Sequence, residues 1–297
     1  MSLRDLFILV VVCLVWAGNS VMSKLVISGL GAPPLFYAAA RFGVVVLVTL
    51  PWLRPAPRPL WRMIVVGLLM GGGNFALTFL ALKTVTPSAL GVVIQLGVPF
   101  ATLLSVTMLG EKIRWRRGLG IVVTLGGALI VIIDPNGFTL SAGMLLVAAA
   151  AFTGSLGAVM MKQIEGVSPM RFQAWVGFSS LWPLIALTAF TEHGQMMVVR
   201  DHLWLFVGAV LFSALVVSVL AHTTYYWLIS RYEVNLLQPL TLMTPLATIG
   251  LGVLITHDHF DVRMAIGSAI ALAGVLMIAL RRNHVEPLLL LFRAAPQ

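Results

Sequence analysis

Two titratable side chains stand well inside long apolar runs, Arg41 and His222, and amides and hydroxyls are scattered through comparable runs at Asn19, Asn74, Gln95, Gln238, Thr78, Ser155, Thr223 and Tyr226. A charged residue in that setting costs at least about 2.5–3.5 kcal/mol on insertion scales, so Arg41 needs a partner or a wet cavity. Two chemistries answer the need. One is a structural guanidinium that snorkels or bonds backbone carbonyls; the other is a contact to an anion, such as a solute's carboxylate or phosphate. His222 likewise reads either as a hydrogen-bonded structural imidazole or as a group able to change charge near neutral pH. The amides and hydroxyls are costly against lipid, and so face other helices or a water-filled cavity. Trp16, Phe75, Phe79 and Tyr226 can supply the apolar wall that small-molecule sites require. As a set, these residues describe a cavity for small solutes with both apolar and polar parts.

Catalysis finds little support. The sequence has no HExxH, no paired aspartates in an apolar run and no GxSxG, the arrangements a membrane hydrolase or metalloprotease would need. Gly71-Gly72-Gly73-Asn74 has neither the lysine nor the strand context of a phosphate loop, and reads instead as a place of close backbone approach or local unwinding. His257, Asp258, His259 and Asp261 are metal-capable, but adjacent side chains diverge and no helical histidine spacing supports a site; a solvated loop is expected. Neither a metal nor another cofactor is expected. Cys13 is the single cysteine, which rules out an intrachain disulfide.

The elements that must position these residues follow from composition. Of 297 residues, 60% are hydrophobic and only 10% charged, with mean hydropathy +1.02; an ordinary soluble domain has roughly 25% charged residues. A membrane-spanning helix takes about 20 apolar residues. Apolar runs bounded by charge, proline and glycine give ten: Leu6 to Ser28, Pro34 to Trp52, Trp61 to Leu82, Ser88 to Leu109, Trp115 to Ile133, Leu140 to Met161, Pro169 to Phe190, Leu203 to Ile229, Val234 to Ile255 and Val262 to Leu280. The fold class is thus all-α integral membrane. With ten spans both termini share a side, and that side carries fourteen Lys and Arg against four opposite. This bias predicts cytoplasmic termini. It also accounts for most of the net charge of +9, so nucleic acid is not an expected partner. The lipid bilayer is.

The chain resembles itself. An offset of 136 lays Trp16 and Gly18 on Phe152 and Gly154, Pro33 on Pro169, and Phe36 and Phe42 on Phe172 and Phe178; one of 146 lays Pro99, Ala101 and Thr102 on Pro245, Ala247 and Thr248; one of 147 lays Gly120 and Gly127 on Gly267 and Gly274. The expected organisation is a first five-helix unit at 1–134, a second at 135–283 and a cytoplasmic tail at 284–297. An odd number of helices per unit inverts the second copy, and inverted repeats are the architecture of alternating-access transporters. Pro99 and Pro245 interrupt equivalent helices and are the expected gating positions, static bending being the other reading. Gly118, Gly120, Gly126, Gly127, Gly267 and Gly274 suit tight helix packing, within one chain or between two. A monomer or a homodimer is expected.

The stretch Trp16-Ala-Gly-Asn19-Ser-Val-Met-Ser-Lys24, followed by Pro33 and Arg41-Phe42, resembles the start of the drug/metabolite transporter superfamily, EamA type. Leu90, Gln95, Pro99 and Gly110-Glu111 are similar to that family's fourth helix, whereas His257-Asp258 departs from the Gly-Glu pair in the second half. The resemblance implies a cavity lined by helices 1 to 4 and 6 to 9, with helices 5 and 10 outside it. It is strongest to bacterial inner-membrane exporters of amino acids, including the aromatic amino-acid and methyl viologen exporter group. The expected function is export of amino acids or similar metabolites by alternating access. Because no acidic residue lies mid-span, facilitative uniport is expected, with a proton-coupled drug or metabolite exporter as the alternative; an integral-membrane enzyme, or a channel or structural subunit, would be another class.

Overall fold

The computed structural model describes residues 1–110, 115–133, 141–164, 166–232, 237 and 240–279. Every extended element among them is helical. Among the described residues, nine helices are long and apolar enough to cross a membrane: α1 Leu3–Gly29, α2 Pro34–Leu53, α3 Leu60–Ala81, α4 Pro87–Leu109, α5 Trp115–Ile132, α6 Ala142–Met161, α7 Pro169–Thr191, α8 Gln195–Leu228 and α10 Val262–Ala279. Between the last two lies α9, Met243–Ile255, apolar but shorter; most of the run expected ahead of it from Val234, Gln238 included, lies outside the described residues, as do Glu111 and the expected tail.

Helix starts are written locally. Ser2, Thr86 and Ser168 accept from the backbone N–H groups of Asp5, Ala89 and Arg171, satisfying donors that have no partner inside the helix. Pro34, Pro87 and Pro169 occupy first helical positions, where a missing N–H costs nothing. Gly110 ends α4 in the left-handed region, at φ 68°. Large apolar side chains such as Leu47, Val122, Phe190, Trp204 and Leu254 point outward, as they must where the solvent is hydrocarbon.

Two expectations need correction here. The eighth helix begins at Gln195 rather than Leu203 and breaks at His202 (φ −137°, ψ 39°); the stretch just before the break carries the exposed Arg200–Asp201 ion pair, too polar for hydropathy to include. The loop after α9 is not simply solvated. Asp258 is buried, and its carboxylate accepts from the Ser88 N–H at 2.8 Å, the Ser88 hydroxyl at 2.6 Å and the Thr256 hydroxyl at 2.7 Å. Glu192, after α7, does the same for α2: its two oxygens accept from the N–H groups of Leu35 and Phe36, each at 2.9 Å. A carboxylate at a helix N-terminus meets both free donors and the positive end of the helix dipole.

The broadest packings pair α5 with α10, α2 with α7 and α8, α3 with α7, α4 with α9, α1 with α8 and α9, and α6 with α3 and α4. Replacing each helix by the one five places along exchanges or preserves these pairs. The α5–α10 seam is glycine against backbone. A Cβ at Gly127 would lie 2.3 Å from Ala271 N and 2.7 Å from Gly267 O, and one at Gly274 2.4 Å from Thr124 N. Gly118 and Gly126, on other faces of α5, meet nothing within 4 Å.

Candidate functional site

Backbone irregularity gathers around one region. α3 widens into π-type turns over Leu68–Gly73, just before Asn74, and α8 over Phe212–Ala221, just before His222. In α3 the glycines are used: Gly67 and Gly71 lie so close to α7 that Ser180 donates to Gly67 O at 3.1 Å, while an added Cβ at Gly71 would fall 2.1 Å from the Ser180 oxygen. α4 tightens to a 3-10 turn over Ile94–Leu96, directly ahead of Pro99, and a turn at 241–242 precedes Pro245. The two turns cover Gln95 and Thr241, the residues four before Pro99 and Pro245, which lack the usual N–H donor four residues on; the Thr241 carbonyl accepts instead from the Thr244 N–H at 2.9 Å.

These segments enclose a cavity of about 200 Å³ with walls from α1, α3, α4, α8 and α9. Of the residues expected at a site, Trp16, Asn19, Asn74, Phe75, Thr78, Phe79, Gln95 and His222 border it, and so does Pro245. Sequence reasoning passed over Ser20, Thr244 and Thr248 on the same wall; Thr244 and Thr248 flank Pro245 one helical turn apart, a spacing that could have marked them. A smaller cavity of about 50 Å³ lies between α2, α3, α7 and α8, bordered by Arg41, Tyr226, Phe75 and His222 together with the unanticipated Gln173 and Ser218. Phe75 and His222 line both cavities and form the wall between them.

Ser155 and Pro99 border neither. The Ser155 hydroxyl lies 2.7 Å from both Gly97 O in α4 and Ala151 O in its own helix, fastening α6 to α4, and Pro99 is buried within α4. No residue of α5, α6 or α10 borders either of these two cavities. This agrees with the peripheral place expected of helices 5 and 10 and removes helix 6 from the expected lining, because its small side chains are packed against α3 and α4.

Polar partners are few. Asn19 Oδ1 accepts from Ser213 at 2.9 Å, and Asn74 Nδ2 donates to Ala150 O at 2.7 Å. His222 Nδ1 is 2.7 Å from Val217 O, so that nitrogen carries the proton and Nε2 remains an acceptor. The ring sits 5.3 Å from Trp16, which in turn meets Tyr225 edge-on at 5.0 Å. Trp16 Nε1 and Thr244 Oγ1 are buried with no protein partner. Arg41 is wholly buried. Its Nε donates to Ser218 Oγ at 2.9 Å and its guanidinium lies 3.9 Å from the centre of the Phe75 ring, while Nη1 and Nη2 have no partner. Among the described residues, no three His, Cys, Asp or Glu gather around a point that could hold a metal.

At the end of the bundle away from the N-terminus, Lys24 Nζ and Ser28 Oγ both donate to Leu82 O, at 2.8 and 3.0 Å, tying α1 to the end of α3. At the other end Asp5 accepts from the Tyr232 hydroxyl at 2.6 Å, joining the start of α1 to the end of α8.

Comparison with known proteins places this geometry. The sequence pattern of the EamA-like transporter family matches residues 3–133 and again 141–280. A protein of Salmonella typhimurium described as a "probable amino-acid metabolite efflux pump" is 26% identical over 93% of this chain and 94% of its own. An Escherichia coli protein with the same description is 25% identical over 93% and 94%, and an uncharacterized transporter of Bacillus subtilis is 21% identical over 90% and 93%. One solved crystal structure shares the fold over the whole of both chains, with TM-score 0.63 at 20% identity.

Proposed function

The chain belongs to the EamA-like transporter family, and on that premise we propose that it exports amino acids or closely related metabolites across a bacterial inner membrane by alternating access, with both termini in the cytoplasm. The two efflux-pump relatives, each aligned over nearly its full length, support export. Ten spans in two inverted five-helix repeats are supported by the paired family match, by the exchange symmetry of the helix packings, and by the glycine seam in which Gly120 faces Gly274 and Gly127 faces Gly267. These are the cross-pairs of the repeat offset of 147, as an axis between α5 and α10 requires.

One observation carries the mechanism. The 136 offset makes Asn19 of α1 the counterpart of Ser155 of α6, and the 146–147 offsets make Met243 and Thr244 of α9 the counterparts of Gly97 of α4. Ser155 is bonded to Gly97, whereas Asn19 and Thr244 border the large cavity, with the Thr244 hydroxyl unpaired. The equivalent joints carry a side-chain bond in one half and none in the other, an asymmetry expected of a protein on one side of a rocking cycle. Phe75 and His222 then form the partition that the cycle moves. The lack of a carboxylate among the described residues of either cavity wall supports facilitative flux.

Counterflow in proteoliposomes tests the proposal: preload with single amino acids and follow labelled methionine, threonine and phenylalanine. Accelerated, saturable exchange with no imposed gradient is expected. Exchange of none of the twenty amino acids would refute the substrate class, and flux only under a pH gradient would refute uniport.

A further inference from the structure

Arg41 is a cation with an incomplete shell. A guanidinium presents five N–H groups in a planar fork; here the Nε–H is used by Ser218, one face is covered by Phe75, and both terminal nitrogens are buried without a partner. Among the described residues no carboxylate pairs with it, the one such ion pair being Arg200 with Asp201. A buried charge left in this condition is strongly unfavourable unless something completes it. Space for that something exists. Arg41 borders the smaller cavity, about 50 Å³, against roughly 30 Å³ for a water's share of the liquid. The other polar walls are Gln173, Ser218, His222 and Tyr226; Ser218 gives its hydrogen to Ser213 O and His222 its Nδ1–H to Val217 O, which leaves Gln173 and Tyr226 as neutral donors and Arg41 as the single positive charge.

We propose that this pocket is a carboxylate site, and that it holds the carboxylate of the transported solute. The inference rests on the transporter reading and narrows it. A fork with both terminal nitrogens free matches a planar carboxylate with two parallel bonds. One positive charge balances a monoanion, whereas a phosphate dianion would leave a buried negative charge. The cavity accepts a carboxylate but not a whole amino acid, so the rest of the solute occupies the 200 Å³ cavity when the Phe75 and His222 partition opens, and the aromatic and amide lining there suits an apolar side chain. Selection is then by the acid group first, with the side chain read loosely.

The experiment measures both stabilisation and flux. Thermal unfolding of the purified full chain is followed with each of the twenty amino acids, methioninol, methionine amide, propionate and chloride, alongside competition by the same compounds against methionine counterflow. Carboxylates are expected to raise the melting temperature of the wild type and to compete, with the alcohol and the amide at least tenfold weaker. In Arg41→Gln the carboxylate effect is lost; in Arg41→Lys, which keeps the charge without the fork, it is weakened about tenfold. If Arg41→Gln does not fold, the wild-type series and Arg41→Lys still decide. Equal action of methionine and methioninol overturns the proposal. So does stabilisation by chloride equal to that by carboxylates, which would make the occupant an inorganic anion, or the absence of any carboxylate-specific shift. Carboxylate-specific stabilisation without counterflow would keep the site and remove the transport reading.

Discussion

Replacing Gly127 by alanine, with the adjacent Gly126→Ala as control, tests the helix seam at the proposed repeat axis. The added methyl at 127 would sit 2.3 Å from Ala271 N, 2.7 Å from Gly267 O and 2.8 Å from Ala271 Cα, all backbone that no rotamer change can move. Bringing the shortest of these to an ordinary 3.4 Å contact parts α5 from α10 by about 1.1 Å. A gap of 0.5–1 Å already forfeits about a quarter to a half of each dispersion contact, and lipid supplies no hydrophobic force to restore it. Overpacking of this kind costs about 1–3 kcal/mol, hence roughly a five- to 150-fold loss in the folding constant. Gly126 meets nothing within 4 Å, so its alanine should change stability by no more than about 0.5 kcal/mol. Unfolding of both variants in one detergent, by denaturant titration or melting, separates them. Since α5 and α10 border neither cavity, solute affinity of folded Gly127→Ala should match the wild type. Equal stability of the two variants would refute the seam.

Ser155→Ala removes the bond that fastens α6 to α4 and should shift the conformational balance by about 0.6 kcal/mol, a typical value for interhelical hydrogen bonds in membranes. The check is the labelling rate of a cysteine at Asn19 in a Cys13→Ser background, which should change severalfold. Phe75→Ala merges the two cavities; bulkier solutes should then compete in counterflow, and an unchanged size limit would count against the partition. Asp258→Asn and Glu192→Gln each weaken a helix N-terminus and should lower stability by about 1–2 kcal/mol. Because the two sites share no partner, the double variant should show nearly the sum.

What the chain reveals of itself follows the range of each interaction. Apolar runs and first-position prolines are local, and the helices begin and end near them. Arg41 and His222 stand out because a charged or titratable group in hydrocarbon is conspicuous wherever it lies. The glycine repeat of α5 and α10 is visible because it recurs, although only a three-dimensional register tells Gly127, which touches backbone, from Gly126, which does not. Ser218, Gln173 and Thr244 are ordinary residues until a tertiary neighbour gives them a task. Ser155 illustrates the converse: in sequence it resembles its counterpart Asn19, yet it lines no cavity because α6 is closed upon α4. Asp258 and Glu192 look like loop acids, since the helices they cap lie 170 and 157 residues earlier.

That separation bears on how the protein is made. At about 5–20 residues per second, roughly 10–30 s pass between synthesis of the starts of α2 and α4 and synthesis of the acids that cap them. During that interval the first half sits in the bilayer with unmet backbone donors at the starts of α2 and α4, and arrival of α7 and α9 supplies the missing acceptors. The second half thus finishes the first. A chain truncated after α5 would lack both acids and leave the same two helix ends open, so each half is a unit of sequence without being a unit of assembly.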